Sequence, residues 1–171
     1  MTIGNSVTSI GDGAFQYCSG LIETLTIPNS VVSIGYQAFK DCPYLSFVTI
    51  GNSVTTIGDY AFAGCSGLIE TLIIPNSVTT IGDYAFASCS GLRSVTIGNS
   101  VTSIGRYAFL DCSGLTEVTS LITEPQSISY GSNIFLSVDI SAATLKVPSG
   151  SLAAYKAAPE WSGFGNIVAI P

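Results

Sequence analysis

A repeat of 23 or 24 residues constrains the fold of this chain more than any other feature. The string Ile-Gly/Pro-Asn-Ser-Val begins five times, at Ile3, Ile27, Ile50, Ile74 and Ile97. Each copy continues to Ile-Gly, then to Ala-Phe, and then to one of five cysteines: Cys18, Cys42, Cys65, Cys89 and Cys112. A unit this short cannot bury its own apolar side chains, so successive units must stack and share one core.

The spacing of the repeats alternates between 24 and 23 residues. The linkers 21–25 and 68–72 are one residue longer than the linker 92–95, so residues 3–49 resemble residues 50–96. A slip inside a strand would turn its core side chains outward. The extra residue is therefore predicted to lie in a loop or as a bulge at the start of the strand.

Each unit is predicted to contain one strand that is buried on one side. Val95 and Ile97 alternate with Ser94 and Thr96, the pattern of a half-buried strand. Equivalent strands of successive units are expected to form a parallel ladder with a spacing of about 4.8 Å.

The rest of each unit is predicted to be a second extended piece and a tight turn. Residues 100–105 read as extended, with Val101 and Ile104 pointing inward, and residues 106–112 read as one helical or 3₁₀ turn. The glycines after each Ile and each Cys-Ser are expected to make the corners.

Composition narrows the class of protein. Hydrophobic residues make up 47% of the 171 residues and charged residues only 9%, so Ser, Thr, Asn and Gly must cover much of the surface. The net charge is −6, and the five basic residues do not cluster, which argues against a nucleic-acid partner. No apolar run approaches the ~18 residues of a membrane span, so membrane insertion is not expected. No signal-peptide pattern opens the chain, but leader and localisation signals would be lost with a truncated first repeat.

The motif Leu-x-x-Val-x-Ile-Pro/Gly-x-Ser-Val-x-x-Ile-Gly-x-x-Ala-Phe-x-x-Cys resembles the BspA-like leucine-rich repeats of bacterial surface proteins. The resemblance implies a β-rich, right-handed, curved leucine-rich-repeat solenoid. Parallel strands would line its concave side, with short extended pieces and 3₁₀ or helical turns on the convex side. Asn99 lies two residues after Ile97, whereas the general leucine-rich-repeat motif places its asparagine three residues after the equivalent position. This difference in spacing argues against an internal asparagine ladder.

Two regions are expected: five repeats over residues 1–120, and a degenerate repeat with a C-terminal cap over residues 121–171. Ile128 and Ile134-Phe135 suggest a sixth turn, Thr144–Pro148 a strand, and Ser151–Ala158 a short helix. Ser149 or Ser151 is predicted to cap this helix and Pro159 to end it. The string Val-Pro-x-Gly-Ser-Leu-x-Ala-Tyr-Lys, followed by Trp161, resembles the closing segment of the same family.

The first residues align with the middle of a later strand, Met1-Thr2-Ile3 with Val95-Thr96-Ile97. We therefore expect a chain whose first repeat is truncated, with an uncapped N-terminal edge that self-associates or frays.

The sequence offers little chemistry for catalysis. It has no histidine, which excludes Ser-His and Cys-His nucleophiles and the commonest transition-metal ligand. The five cysteines share one column, whereas zinc needs converging ligands and a disulfide needs side chains aimed at each other. Buried free thiols are predicted, with no catalytic residue, no metal and no cofactor.

Two polar columns have structural explanations as well as functional ones. Asp12, Asp59 and Asp83 recur at one position, but Tyr36 and Arg106 interrupt it, so solvated carboxylates are favoured over a calcium ladder. A second column holds tyrosines, which are either exposed contact groups or, as we favour, half-buried packing groups: Tyr60, Tyr84 and Tyr107.

The outward strand positions are the candidate binding face, and they form two predicted columns. The first column is Thr24, Phe47, Thr71, Ser94 and Glu117, and the second is Thr26, Thr49, Ile73, Thr96 and Thr119. A Thr-rich face interrupted by two apolar side chains is either a protein-binding patch or ordinary surface.

Three functions remain open. The resemblance implies a protein-binding or adhesion module, extracellular or on a bacterial surface, with a host matrix or cell-surface protein as partner. A structural spacer that presents another domain is the alternative. Ice or glycan binding through the threonines comes third, because curvature disfavours a flat match to ice.

Overall fold

A computed structural model describes residues 1–125 and 129–170, and it shows a β-solenoid with two parallel sheets on either side of one core. The long-strand sheet has seven strands: β2 (Glu23–Thr26), β4 (Leu45–Thr49), β6 (Thr71–Ile74), β8 (Ser94–Ile97), β10 (Glu117–Ser120), β12 (Thr144–Val147) and β13 (Asn166–Ala169). The short-strand sheet has six strands: β1 (Ser9–Ile10), β3 (Ser33–Ile34), β5 (Thr56–Ile57), β7 (Thr80–Ile81), β9 (Ser103–Ile104) and β11 (Ser129–Tyr130). Each strand pairs with its equivalent in the next turn, in the order β1-β3-β5-β7-β9-β11 and β2-β4-β6-β8-β10-β12-β13.

The core consists of side-chain columns that run along the stack. The long strands alternate as predicted: Val95 and Ile97 are buried, and Ser94 and Thr96 lie on the outer face. Five phenylalanine rings stack nearly parallel along the turn side, from Phe15 to Phe109, at centroid distances of 5.1 to 5.4 Å. Such offset aromatic stacking adds to the burial of apolar area in holding the turns together.

The turn side is a string of β-turns. The i→i+3 hydrogen bonds of a 3₁₀ turn are present, for example from the Ala87 N–H to the Tyr84 carbonyl and from the Cys89 N–H to the Phe86 carbonyl. Tyr84 and Ser88 have φ of 56° and 59°, which prevents a continuous helix. The intervening amides bond to the next turn instead, as the Phe86 N–H does to the Ala108 carbonyl at 2.8 Å. The prediction of a helical turn was therefore right about the bonding within the turn and wrong about its continuity.

The glycines of the Ile-Gly positions allow the backbones of successive turns to approach each other closely. A Cβ on Gly58 or Gly82 would lie 2.8 Å or less from an atom of the preceding turn, and neither residue has a positive φ. Most left-handed positions are occupied by other residues, such as Tyr84 and Asp111. The expectation that glycines make the corners by their conformational freedom was wrong for these positions, because their role is steric.

The extra residue of the longer linker lies at the start of the strand. The register between β2 and β4 shifts between Glu23 and Thr24, and Glu23 has a φ of 65°. The prediction of a bulge at this place is confirmed. The core side chains Leu25 and Ile27 consequently keep their inward direction.

The C-terminal part extends both sheets, and its last strand, β13, pairs with β12. Phe135 stacks on Phe109 at 5.6 Å, and the strand β12 is followed by a 3₁₀ turn (Ser149–Ser151) and the helix α1 (Leu152–Ala157). Ala158, the residue before Pro159, is extended and ends the helix as predicted. The prediction for Ile128 lies outside the described residues.

Polar contacts of the cap are buried together with its aromatic rings. Trp161 is fully buried and its Nε1–H donates to the Tyr130 hydroxyl at 2.7 Å. Tyr155 is also buried, and its hydroxyl bonds to Ser120 and donates to the Ile122 carbonyl. The buried indole is thus part of the packing of the cap.

The predicted serine cap of α1 was wrong. Ser151 stands at the N-cap position, but its hydroxyl donates to the Thr123 carbonyl at 2.6 Å. The hydroxyl therefore ties the cap to the preceding turn and leaves the helix without a side-chain cap.

Candidate functional site

The ten candidate residues lie on the outer face of the long-strand sheet, in the two columns that the repeat alignment predicts. The register pairs Thr24 with Phe47, and Thr26 with Thr49. Thr49 in turn pairs with Ile73. Further along, Thr71 pairs with Ser94 and Ile73 with Thr96, and the columns continue through Glu117 and Thr119. The structure thus brings all ten together on one surface.

This face is not uniform along the stack. The outward residues of β2, β4 and β6 are exposed, whereas those of β8 and β10 are half-buried. Two apolar side chains stand in the exposed part, Phe47 with 39% and Ile73 with 59% of its surface exposed. Neither is needed for the core, since both point away from it.

The sheet is interrupted between β4 and β6. These strands pair at a single position, Thr49 with Ile73, whereas β6 and β8 pair at four. The strand β4 follows a short linker and β6 follows a long one, so their first residues are offset by one position. On the other side of Glu70 the Ile69 N–H still donates to the Ser46 carbonyl at 3.4 Å, so the irregular stretch lies between two contacts of these segments.

A groove of about 360 Å³ opens at this interruption. Phe47 and Ile73 stand at its edges, and Val48, Leu68 and Leu72 contribute to its apolar lining. Val48 is half-buried although it points inward, whereas Leu72 and Val95 at the equivalent positions are at most 3% exposed. The groove thus reaches the outer layer of the core, and sequence reasoning missed it.

Polar side chains on this face pair between neighbouring strands from β6 to β12, whereas the carboxylate beside the groove has no such partner among the described residues. Lys146 and Glu117 form an ion pair of 2.7 Å between neighbouring strands, and the Thr71 and Ser94 hydroxyls lie 2.6 Å apart. Glu70 lines the groove, and no hydrogen bond or ion pair holds its carboxylate within the described part of the chain. The groove therefore has an acidic edge with no lysine or arginine in its lining.

The cysteines are free thiols that belong to the core. Each of the last four donates its S–H to the phenylalanine carbonyl of the preceding turn, as Cys89 does to Phe62 at 3.3 Å and Cys112 to Phe86 at 3.1 Å. Burial raises the pKa of the Cys112 thiol to about 12 and also raises the pKa of Cys89. A thiol so protonated is a poor nucleophile.

The aspartate column connects successive turns. The carboxylates of Asp12, Asp59 and Asp83 each accept the backbone N–H of the same position in the next turn, at 2.7 to 2.8 Å. The interpretation as merely solvated carboxylates was therefore incomplete. Within residues 1–125 and 129–170, no three His, Cys, Asp or Glu side chains group closely enough to hold a metal ion.

Asparagines make a similar connection at the surface. The side-chain oxygens of Asn29 and Asn76 accept the backbone N–H of Asn52 and Asn99, at 2.7 and 3.0 Å. These asparagines are exposed. The asparagine ladder that the motif spacing argues against would instead lie inside the solenoid. Asparagine thus satisfies backbone groups between turns here without entering the core.

The tyrosine column is half-buried, as the favoured interpretation holds. The rings of Tyr60, Tyr84 and Tyr107 stack at 4.7 and 4.9 Å. Tyr36 meets Tyr60 edge to face at 6.0 Å. These rings cover the turn side of the solenoid.

In the described part of the chain, no helix has the length and apolar character needed to cross a lipid bilayer.

Comparisons with known proteins agree with this architecture. The family model described as "BspA type Leucine rich repeat region (6 copies)" matches residues 8–141. No curated protein matches the chain.

Solved structures of bacterial leucine-rich-repeat proteins are similar. A leucine-rich cell surface protein from Faecalibacterium prausnitzii A2-165 is 37% identical with a TM-score of 0.70, over 75% of this chain and 34% of that one. The leucine-rich-repeat protein of T. pallidum is 26% identical with a TM-score of 0.71, over 80% and 75%. The pneumococcal vaccine antigen PcpA, 21% identical with a TM-score of 0.75 over 100% and 41%, shows the fold alone. The chain therefore spans about a third of the length of the F. prausnitzii protein.

Proposed function

The chain belongs to the BspA-type leucine-rich-repeat family, and on that basis we propose that it is a non-catalytic module that binds an extracellular protein on a bacterial surface. The fold is a leucine-rich-repeat solenoid with its long strands on the concave side, a repeat scaffold of the kind that generally mediates protein interactions. The proposed binding face is the outer side of the long-strand sheet.

The exposed apolar pair on this sheet carries the proposal. Phe47 and Ile73 stand in columns that are otherwise filled mainly by threonine and serine, and they expose 39% and 59% of their surface. Packing of the stack does not require them, because both point away from the core. Large apolar side chains on a polar face are typical of contact sites.

Surface location is supported by the similarity to a protein described as a leucine-rich cell surface protein. Adhesion to host matrix or cell-surface proteins is the finer part of the proposal and rests on the family alone.

Self-association through the N-terminal edge is a second proposed contact. Beside Gly11 and Gly20 in the first turn there is open space, whereas Gly35 and Gly67 at the equivalent positions face atoms of the preceding turn. The face beside Gly11 and Gly20 is the surface through which we propose that two copies of the chain associate.

The proposal is tested by surface plasmon resonance against a panel of purified extracellular matrix proteins. The chain should bind at least one of them, and Thr96→Arg on the long-strand sheet should abolish that binding. Val32→Arg, on an exposed residue outside this sheet, is the matched control and should leave it unchanged. A panel that shows no binding, or equal binding by both variants, would contradict a binding face and favour a structural spacer.

A further inference from the structure

We propose that the groove between β4 and β6 binds an extended segment of the partner protein, one that presents a large apolar side chain next to a lysine or arginine. This rests on the proposed function and names the chemistry of its partner.

The apolar part of the partner is inferred from the groove itself. Its volume of about 360 Å³ is at the lower end of the range for small-molecule sites, which suits one or two amino-acid side chains. Val48 on the inside is half-buried, and Phe47 and Ile73 are exposed at the edges. An inserted apolar side chain would cover all three and thereby remove apolar surface from water.

The basic part is inferred from Glu70. Its carboxylate lines the groove without an ion pair in the described residues, and the lining contains no lysine or arginine. The whole chain carries a net charge of −6. A cation beside the apolar side chain would meet an unpaired carboxylate, whereas an acidic segment would be repelled.

The extended form of the partner follows from the shape of the opening. The groove lies between two strands of one sheet, where neighbours are normally about 4.8 Å apart, and a helix with its side chains is about 10 Å wide. The Ser46 carbonyl accepts the Ile69 N–H, and β4 and β6 otherwise pair only at Thr49 and Ile73, so main-chain groups of residues 47–48 and 70–72 lie outside a regular ladder between these strands. An extended main chain can hydrogen-bond to such groups, as in recognition by strand addition.

The test uses the 171-residue chain and three fluorescent ten-residue peptides. The first has a central Leu-Phe flanked by lysines, the second has glutamates in place of the lysines, and the third has Ser-Ser in place of Leu-Phe. Fluorescence anisotropy gives the Kd of each. We expect the first peptide to bind at least about tenfold more tightly than the other two, because the second brings acidic groups next to Glu70 and the third lacks the apolar side chains.

Variants of exposed residues locate the peptide without disturbing the core. Ile73→Thr and Glu70→Gln should each weaken binding of the first peptide about fivefold or more. The matched controls are Ile69→Thr, next to the groove but outside its lining, and Glu23→Gln, at the equivalent position of the first long linker. Both controls should bind like the unmodified chain.

The outcomes separate this inference from the proposed function. Equal binding of the lysine and glutamate peptides, no binding of any peptide, or no effect of Ile73→Thr would overturn the groove as the peptide site. If a matrix protein then still bound in a manner sensitive to Thr96→Arg, the binding face would stand without the groove. A dimer in sedimentation equilibrium that Ile73→Thr converts to monomer would assign the groove to a second copy of the chain and overturn the inference.

Discussion

Two neighbouring junctions of the long-strand sheet are built from nearly the same sequence and differ in structure. Between β6 and β8 the strands pair at four positions, and between β4 and β6 at one. The order of the linkers distinguishes them, because a long linker precedes a short one at the first junction and follows it at the second. A one-residue difference in linker length is thus compatible with full strand pairing at one junction, whereas at the other it leaves a single paired position.

The opening is confined to the sheet side of the solenoid. On the turn side, Phe62 stacks on Phe39 at 5.1 Å and on Phe86 at 5.4 Å, so the aromatic column continues past the same junction. Cys65 is fully buried and donates to the Phe39 carbonyl. The core thus continues past the position where regular strand pairing is lost.

The largest expected difference is in the rate at which individual cysteines react with a thiol reagent. It tests whether the irregularity between β4 and β6 is confined to the sheet side of the solenoid. Cys18 is partly exposed and should react with a thiol reagent at pH 8, whereas Cys42, Cys65, Cys89 and Cys112 are buried. Because the buried thiols need substantial unfolding before they react, we expect them to react at least about a thousandfold more slowly than Cys18. Mass spectrometry of digested protein measures each site.

The control for labelling is the chain in 6 M guanidinium (roughly the concentration that unfolds even very stable domains), where all five thiols should react. Rapid labelling of Cys65 in the folded chain would show that the opening extends through the core.

A matched pair of substitutions gives a smaller effect and compares the two junctions directly. Val48 and Val95 occupy the same inward column, but Val48 is half-buried and Val95 is 1% exposed. Val95→Ala should lower the free energy of unfolding by about 2 kcal/mol, and Val48→Ala by about half of that, because less apolar area and cavity are involved. Urea unfolding followed by circular dichroism measures both, and equal losses would mean that Val48 is packed as tightly as Val95.

Much of the outer face of the long-strand sheet was predictable from the alignment of the repeats. The alignment placed Phe47 beside Thr24 and Ile73 beside Thr49, and the register of the sheet has these pairs. In a solenoid every turn repeats the path of the last, so equivalent positions in sequence become neighbours in space.

The groove and the turn backbone were not predictable in the same way. An insertion can be absorbed by a bulge that keeps the ladder, as at Glu23, or by loss of regular pairing, as around Glu70, and the choice depends on the neighbouring turn. The left-handed residues of the turns, such as Tyr84 and Ser88, carry side chains that do not signal that conformation. Both features arise from contacts between turns, which a single repeat does not encode.

Hydrogen–deuterium exchange tests most directly whether the longer linker disrupts the ladder between β4 and β6. Amides of residues 45–48 and 69–72 should exchange faster than those of residues 92–97, since fewer of them lie in a regular ladder. A variant that lacks Glu70 has equal linkers at this junction, and its residues 69–72 should become as protected as residues 92–97. Equal protection of the two junctions in the unmodified chain, or no gain on removing Glu70, would contradict the account.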